Sequence, residues 1–182
     1  MKSAPNLVLI GPTGAGKSCI GHQLSRQLGF DSVDSDTMIE TQLGMSISEI
    51  FARYGELGFR SIECAQLGTL LAKERQIIAT GGGCVLNESL RRAIHRHGYV
   101  IYLAVEIETQ IARLAKDQTR PLIMAANRSL VLAQMDRVRS PLYREIADLT
   151  LHTDNLSVTD AAYLLQEQIS SHWTLSLTTQ CP

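Results

Sequence analysis

The chain has 182 residues, 45% of them hydrophobic, and a formal net charge of -1. That length and apolar content suit one compact α/β or α+β domain with its own core, and a near-zero charge offers no global basic field for nucleic acid. Cys19, Cys64, Cys84 and Cys181 form no CxxC pair and the histidines show no zinc spacing, so free thiols in a reducing compartment are the simple reading. The first apolar run is too short for a signal-peptide core or a membrane span, which makes a cytoplasmic location the expectation.

In chain order, short apolar runs at 6–10, 30–33, 76–79, 99–104 and 149–152 read as buried strands. Helical patterns occupy 17–28, 47–54, 58–73, 87–97, 106–115, 130–137 and 158–170. Strands alternating with helices imply a parallel sheet joined by right-handed crossovers and covered on both faces. No repeat, low-complexity segment or linker interrupts the chain. Arginines cluster at Arg91, Arg92 and Arg96 and again at Arg137, Arg139 and Arg144; the first cluster reads as a solvated helix face. The irregular segment 116–128, "KDQTRPLIMAANR", is either a surface loop or a lid over a site. The polar, Thr-rich tail 172–182 is expected to fray.

"GPTGAGKS" at 11–18 fits GxxxxGK[ST] at every fixed position, after an apolar strand and before a helix. In such a loop the amides of Gly14, Ala15, Gly16, Lys17, Ser18 and Cys19 point at phosphate, and the helix N-terminus adds partial positive charge. Lys17 supplies a full charge to the β- and γ-phosphates and Ser18 a hydroxyl for Mg²⁺. ATP with Mg²⁺ is therefore the expected ligand. Neither DxxG nor NKxD occurs, which argues against a GTPase switch, and the chain is too short for a large motor or transporter ATPase. A small-molecule kinase fits the size.

The second strand runs into "DSVDSDT", which places Asp34 and Asp36 at the strand end, where ligands sit in open parallel sheets. Either could simply cap the next helix. Capping needs only one of them, so Asp34 is assigned to the metal shell and Asp36 to a substrate hydroxyl. In "GELGFRSIE", Arg60 and Glu63 are either an i,i+3 surface pair or an arginine aimed at a substrate carboxylate with its rotamer fixed by Glu63. "ATGGGCV" at 79–85 sets Gly81, Gly82 and Gly83 directly after a buried strand. No lysine follows, so it does not read as a second phosphate loop.

Taken together in this order, "GPTGAGKS", "DSD" at 34–36, "GFR" at 58–60, "TGGG" at 80–83, "RP" at 120–121 and "RSPLY" at 139–143 strongly resemble shikimate kinase, over about 6–170. The resemblance implies a three-layer α/β sandwich of P-loop NTPase type, with a five-stranded parallel sheet of order 2-3-1-4-5. It implies one kinase domain over 1–182, monomeric, with neither nucleic acid nor membrane as partner. The implied reaction moves the γ-phosphoryl of ATP to the 3-hydroxyl of shikimate, in chorismate and aromatic amino acid biosynthesis. Asp36 looks like the residue that binds and activates the acceptor hydroxyl, Asp34 like the acid near Mg²⁺, and Arg60 with Arg139 like a carboxylate clamp. Arg120 looks like the lid arginine over the phosphates, which makes 116–128 the lid, and Arg113 like the arginine stacked on adenine. The turn at Asp154 and Asn155 looks like the other wall of that pocket. In the implied strand order Gly81–Gly83 face the phosphate loop, where side chains would fill the reaction space. Ser18 stands where Thr is common, and "RPLIM" where many relatives have two leucines. Two other readings remain: a P-loop kinase for another polyol acid such as gluconate, and a nucleotide-dependent regulatory module without turnover. Cys19 and Cys84 are both expected to be buried, inert thiols.

Overall fold

Leu7 and Leu9 alternate with Val8 and Ile10 along the first long apolar run, and all four are fully buried. Such a strand has to be covered on both faces. The computed structural model, which describes residues 1–115 and 127–176, shows what covers it. In chain order the elements are β1 (Lys2–Ala4), β2 (Asn6–Ile10), α1 (Lys17–Leu28), β3 (Asp31–Asp34), α2 (Ser35–Leu43), α3 (Ile47–Leu71) and β4 (Gln76–Ala79). A short 3₁₀ turn (Cys84–Leu86) then leads to α4 (Glu88–His97), β5 (Gly98–Ala104), α5 (Ile107–Leu114), α6 (Arg128–Ile146), β6 (Leu149–His152), α7 (Val158–His172) and β7 (Trp173–Leu175).

Five strands form one wholly parallel sheet in the order β3-β4-β2-β5-β6. This is the order the resemblance implied, and helices flank both faces. Leu7, Leu9, Ile77, Ile101 and Leu103 pack with Ile20 and Leu24 of α1 and Leu165 and Ile169 of α7. Val8, Ile10, Ile78, Val100 and Tyr102 face the other way, onto Leu67 and Leu70 of α3, Ile94 of α4 and Tyr143 of α6. The period-2 alternation of the strands thus divides the core into two layers. A third, small cluster joins α2 to α3 through Ile39, Ile50 and Phe59, with Phe51 stacked on Phe59 at 4.4 Å.

Four features differ from the sequence expectations. Helix α2 was not expected; only Ser35 and Ile39 of its nine residues are buried, so it leaves almost no periodic trace. The patterns at 47–54 and 58–73 are two arms of α3, joined at a kink where Gly55 has φ 67° and ψ -178°. Helix α6 runs on past 137 to Ile146 with Pro141 inside it, because Ser140, Tyr143 and Ile146 prolong its buried face. The tail does not fray from 172 onward: Trp173–Leu175 pair in parallel with Lys2–Ala4. The Trp173 indole donates to the Ala4 carbonyl at 3.0 Å and meets Phe30 edge-on at 5.8 Å, which holds the strand. The rest of the tail, 177–182, lies outside the described residues. Among the described residues, no helix is long and apolar enough to cross a membrane.

Candidate active site

Strand β2 ends at Ile10, and the chain turns through 11–16 into α1. Gly14 (φ 77°) and Gly16 (φ 87°) adopt the left-handed backbone that L side chains rarely enter. Among the described residues no side chain caps α1, and the helix N-terminus borders the cleft. Lys17 folds over the loop and donates to the carbonyls of Gly11 and Pro12, both at 2.8 Å. The residues from Thr13 to Ile20 line one wall of a cleft of about 490 Å³, within the usual size of a small-ligand site.

Both aspartates lie at the start of α2 and line the cleft, and they differ in their partners. Asp34 is the cap of α2: its Oδ1 accepts from the N–H groups of Asp36 (3.0 Å) and Thr37 (3.1 Å). Its other oxygen, Oδ2, accepts a hydrogen bond from the Ser18 hydroxyl. Capping and contact with the phosphate loop are therefore not alternatives; one carboxylate does both. Two hard oxygen donors meet at the cleft, a combination that suits Mg²⁺. Asp36 sits in the first turn of α2 and lines the same cleft. Helix α2, invisible as a periodic pattern, is what aims it there.

Strand β4 delivers Gly81–Gly83 opposite the phosphate loop. None of the three has a positive φ, so conformation does not require glycine there. Space does. A Cβ on Gly81 would lie 2.6 Å from Asp36 Oδ1 and 2.8 Å from Glu63 Oε1; one on Gly83 would strike the Arg60 guanidinium. One on Gly82 would lie 3.3 Å from the Gly11 carbonyl oxygen. The expectation that side chains would fill the reaction space is thereby sharpened: they would first displace Asp36, Glu63 and Arg60.

Arg60 is held by Glu63, with Nη1 to Oε2 at 2.7 Å, and more loosely by Glu56 at 3.4 Å, and it lies 5.2 Å from the Phe59 ring centroid. Glu63 is 1% exposed, so this is no surface pair. Burial pushes the Glu63 carboxyl above its ordinary range; Arg60 opposes this, the Asp36 charge adds to it, and Arg139 opposes it again. Burial works against the Arg60 charge, but Glu63 and Glu56 together more than offset it and raise the guanidinium. Arg60 Nε and Glu63 Oε1 are buried and make no hydrogen bond among the described residues, leaving polar capacity beside the triglycine turn. Arg139 is half-buried on α6 and shares a small cavity with Pro12, Thr13 and Tyr143.

The far wall of the cleft carries Arg113, Thr153, Leu156, Ser157 and Val158. Arg113 Nη1 donates to the Gly14 carbonyl (3.0 Å) and the Thr153 hydroxyl (3.1 Å), and Nη2 to the Thr153 carbonyl. Arg113 thus ties the phosphate loop to the turn after β6. Asn155 is exposed and is not among the residues lining the cleft. Arg120 and most of the expected lid fall in 116–126, outside the described residues. Cys84 is buried, and burial pushes its thiol up to about 12. Cys19 corrects the expectation of a buried thiol: it is exposed, because the open first turn of α1 turns it into the cleft. Sequence reasoning gave no part to Thr80, whose hydroxyl donates to the Leu9 carbonyl at 3.0 Å, or to Ser35, which accepts from the Gly81 N–H at 3.2 Å. Small hydroxyl residues carry no motif signal of their own.

A five-stranded parallel sheet of this order, with a lysine-bearing phosphate loop and an acid-and-arginine pocket beyond the strand ends, defines a P-loop kinase of the nucleoside-monophosphate-kinase type. Comparison with known proteins narrows the class. A family model described as shikimate kinase matches residues 13–170. A shikimate kinase of Xanthomonas campestris pv. campestris is 46% identical over 98% of this chain and 99% of its own. That of Stenotrophomonas maltophilia is 44% identical over 95% and 96%. The structure of shikimate kinase from Acinetobacter baumannii in complex with shikimate superposes with a TM-score of 0.89 at 37% identity, covering 92% of this chain and 94% of that one. The chain belongs to the shikimate kinase family.

Proposed function

We propose that this protein transfers the γ-phosphoryl group of ATP to the 3-hydroxyl of shikimate, giving shikimate 3-phosphate and ADP for chorismate and aromatic amino acid biosynthesis. The observation that carries this reading is the convergence on Gly81–Gly83 of Asp36, Glu63 and Arg60 from one side and the phosphate loop from the other. Acceptor and donor sites of a phosphoryl transfer need this adjacency.

In this reading the loop amides, Lys17 and the α1 N-terminus hold the phosphates. Ser18 and Asp34 would hold Mg²⁺, which supplies charge neutralisation of the phosphates when bound. Asp36 orients the acceptor hydroxyl for in-line attack and accepts its proton. Arg60 and Arg139 clamp the substrate carboxylate by charge-assisted hydrogen bonds. Gly81, Gly82 and Gly83 let the substrate ring approach the backbone. Arg113 and the turn carrying Asn155 border the adenine. Arg120, on a lid at 116–128, adds positive charge to the transition state and excludes water. The protein is proposed to act as a single-domain monomer in the cytoplasm, without nucleic acid or membrane as partner.

The test is ADP release, measured by coupled assay, with shikimate, gluconate and nucleoside monophosphates offered in turn. Shikimate-dependent ADP formation is the expected result. Preference for gluconate, or no acceptor-dependent turnover, would contradict the proposal.

A further inference from the structure

The three glycines after β4 are held unequally. The Gly81 carbonyl accepts from the Cys84 N–H at 3.2 Å and the Gly83 carbonyl from the Leu86 N–H at 3.0 Å, both local turns of the chain. Among the described residues the Gly82 carbonyl has only a side chain to hold it: it accepts from the phenol of Tyr143, sixty-one residues away on α6. Tyr143 is 1% exposed, and its ring stacks on Tyr102 at 5.1 Å, so it has little freedom to move. The peptide bonds are trans, so a carbonyl turned toward Tyr143 turns the following N–H the opposite way. That N–H belongs to Gly83, and neither it nor the Gly82 N–H donates to any acceptor among the described residues. Tyr143 also lies four residues after Arg139, on the same side of α6.

We infer that Tyr143 is a positioning residue: by gripping the Gly82 carbonyl it fixes the Gly82–Gly83 peptide so that its N–H presents to the acceptor substrate, in register with Arg139 one helical turn away. It couples the acceptor side of the site to α6. The inference rests on the shikimate reading above.

Tyr143→Phe keeps the ring and removes the grip. In the full-length protein it should raise the Kd and KM for shikimate about tenfold, with KM for ATP and Kd for ADP within about twofold. Tyr102→Phe removes the other phenol of the same stack, which touches Ser140 at 3.4 Å and not the glycines. It should cost thermal stability without changing shikimate affinity. Installing 4-aminophenylalanine at position 143, a donor of the same shape, should restore shikimate binding. Unchanged shikimate affinity in Tyr143→Phe would overturn the inference, as would equal losses in both tyrosine variants. If Tyr143→Phe does not fold, hydrogen exchange in the wild-type chain decides. Shikimate should slow exchange in the peptide spanning 81–85 and ADP alone should not; no shikimate-dependent protection overturns the inference. A wild-type protein that fails to bind shikimate at all would instead end the functional reading itself.

Discussion

Two strand ends in this molecule are rich in glycine, and they are so for different reasons. After β2, Gly14 and Gly16 supply left-handed backbone that wraps a loop around phosphate. After β4, none of Gly81–Gly83 has a positive φ, and glycine is required because Asp36, Glu63, Arg60 and the phosphate loop crowd against them. The first stretch is a shape that the chain makes by itself. The second is a space that three other segments, α2, α3 and the phosphate loop, define. The phosphate loop is therefore local in sequence, whereas the acceptor half is assembled from α2, α3, β4 and α6.

The contrast can be broken most severely at Asp36. Asp36→Asn should lower kcat by roughly a thousandfold while ADP still binds, since it removes the proton acceptor and leaves the phosphate loop intact. Steady-state turnover together with ADP titration reads both; near-normal turnover would remove Asp36 from the chemistry. Next in size is the glycine pair itself. Gly83→Ala should raise KM for shikimate by about 10–100-fold through displacement of Arg60, with KM for ATP nearly unchanged, and Gly16→Ala should do the reverse through backbone strain. Equal effects on both substrates in either variant would collapse the distinction. Arg60→Lys should raise the shikimate KM by about tenfold, because an ammonium cannot reproduce a fork held by Glu63. An equal rise for ATP would count against a carboxylate clamp.

The smallest effect concerns the two thiols that flank these loops. A thiol raised to about 12 stays protonated, and so unreactive, at every pH well below that value. Iodoacetamide at pH 8 should label Cys19 well before Cys84, by peptide mapping, and ATP should slow the labelling of Cys19 alone. Faster labelling of Cys84 would contradict its burial.

Legibility in the sequence followed the same division. The phosphate loop was readable because one contiguous string carries its geometry, and the strand order followed once the ordered motifs were seen together. Helix α2 was not readable, since two buried residues in nine give no period. The pattern at 130–137 stops short of the end of α6 because Pro141 interrupts the sequence there, while the buried Tyr143 beyond it holds the helix to the core. Trp173 looked like part of a polar tail because its partners, Phe30 and the Ala4 carbonyl, lie far away in the chain. The double duty of Asp34, as helix cap and as partner of Ser18, needs two segments in contact before it can be seen at all.

In the proposed reaction the two halves meet to pass one phosphoryl group from ATP to one hydroxyl of shikimate. Phosphorus NMR of the full-length protein with ATP, Mg²⁺ and shikimate follows that transfer. ADP and a single new phosphate monoester at the 3-hydroxyl of shikimate should form in equal amounts. ADP accompanied by inorganic phosphate, with shikimate unchanged, would contradict it.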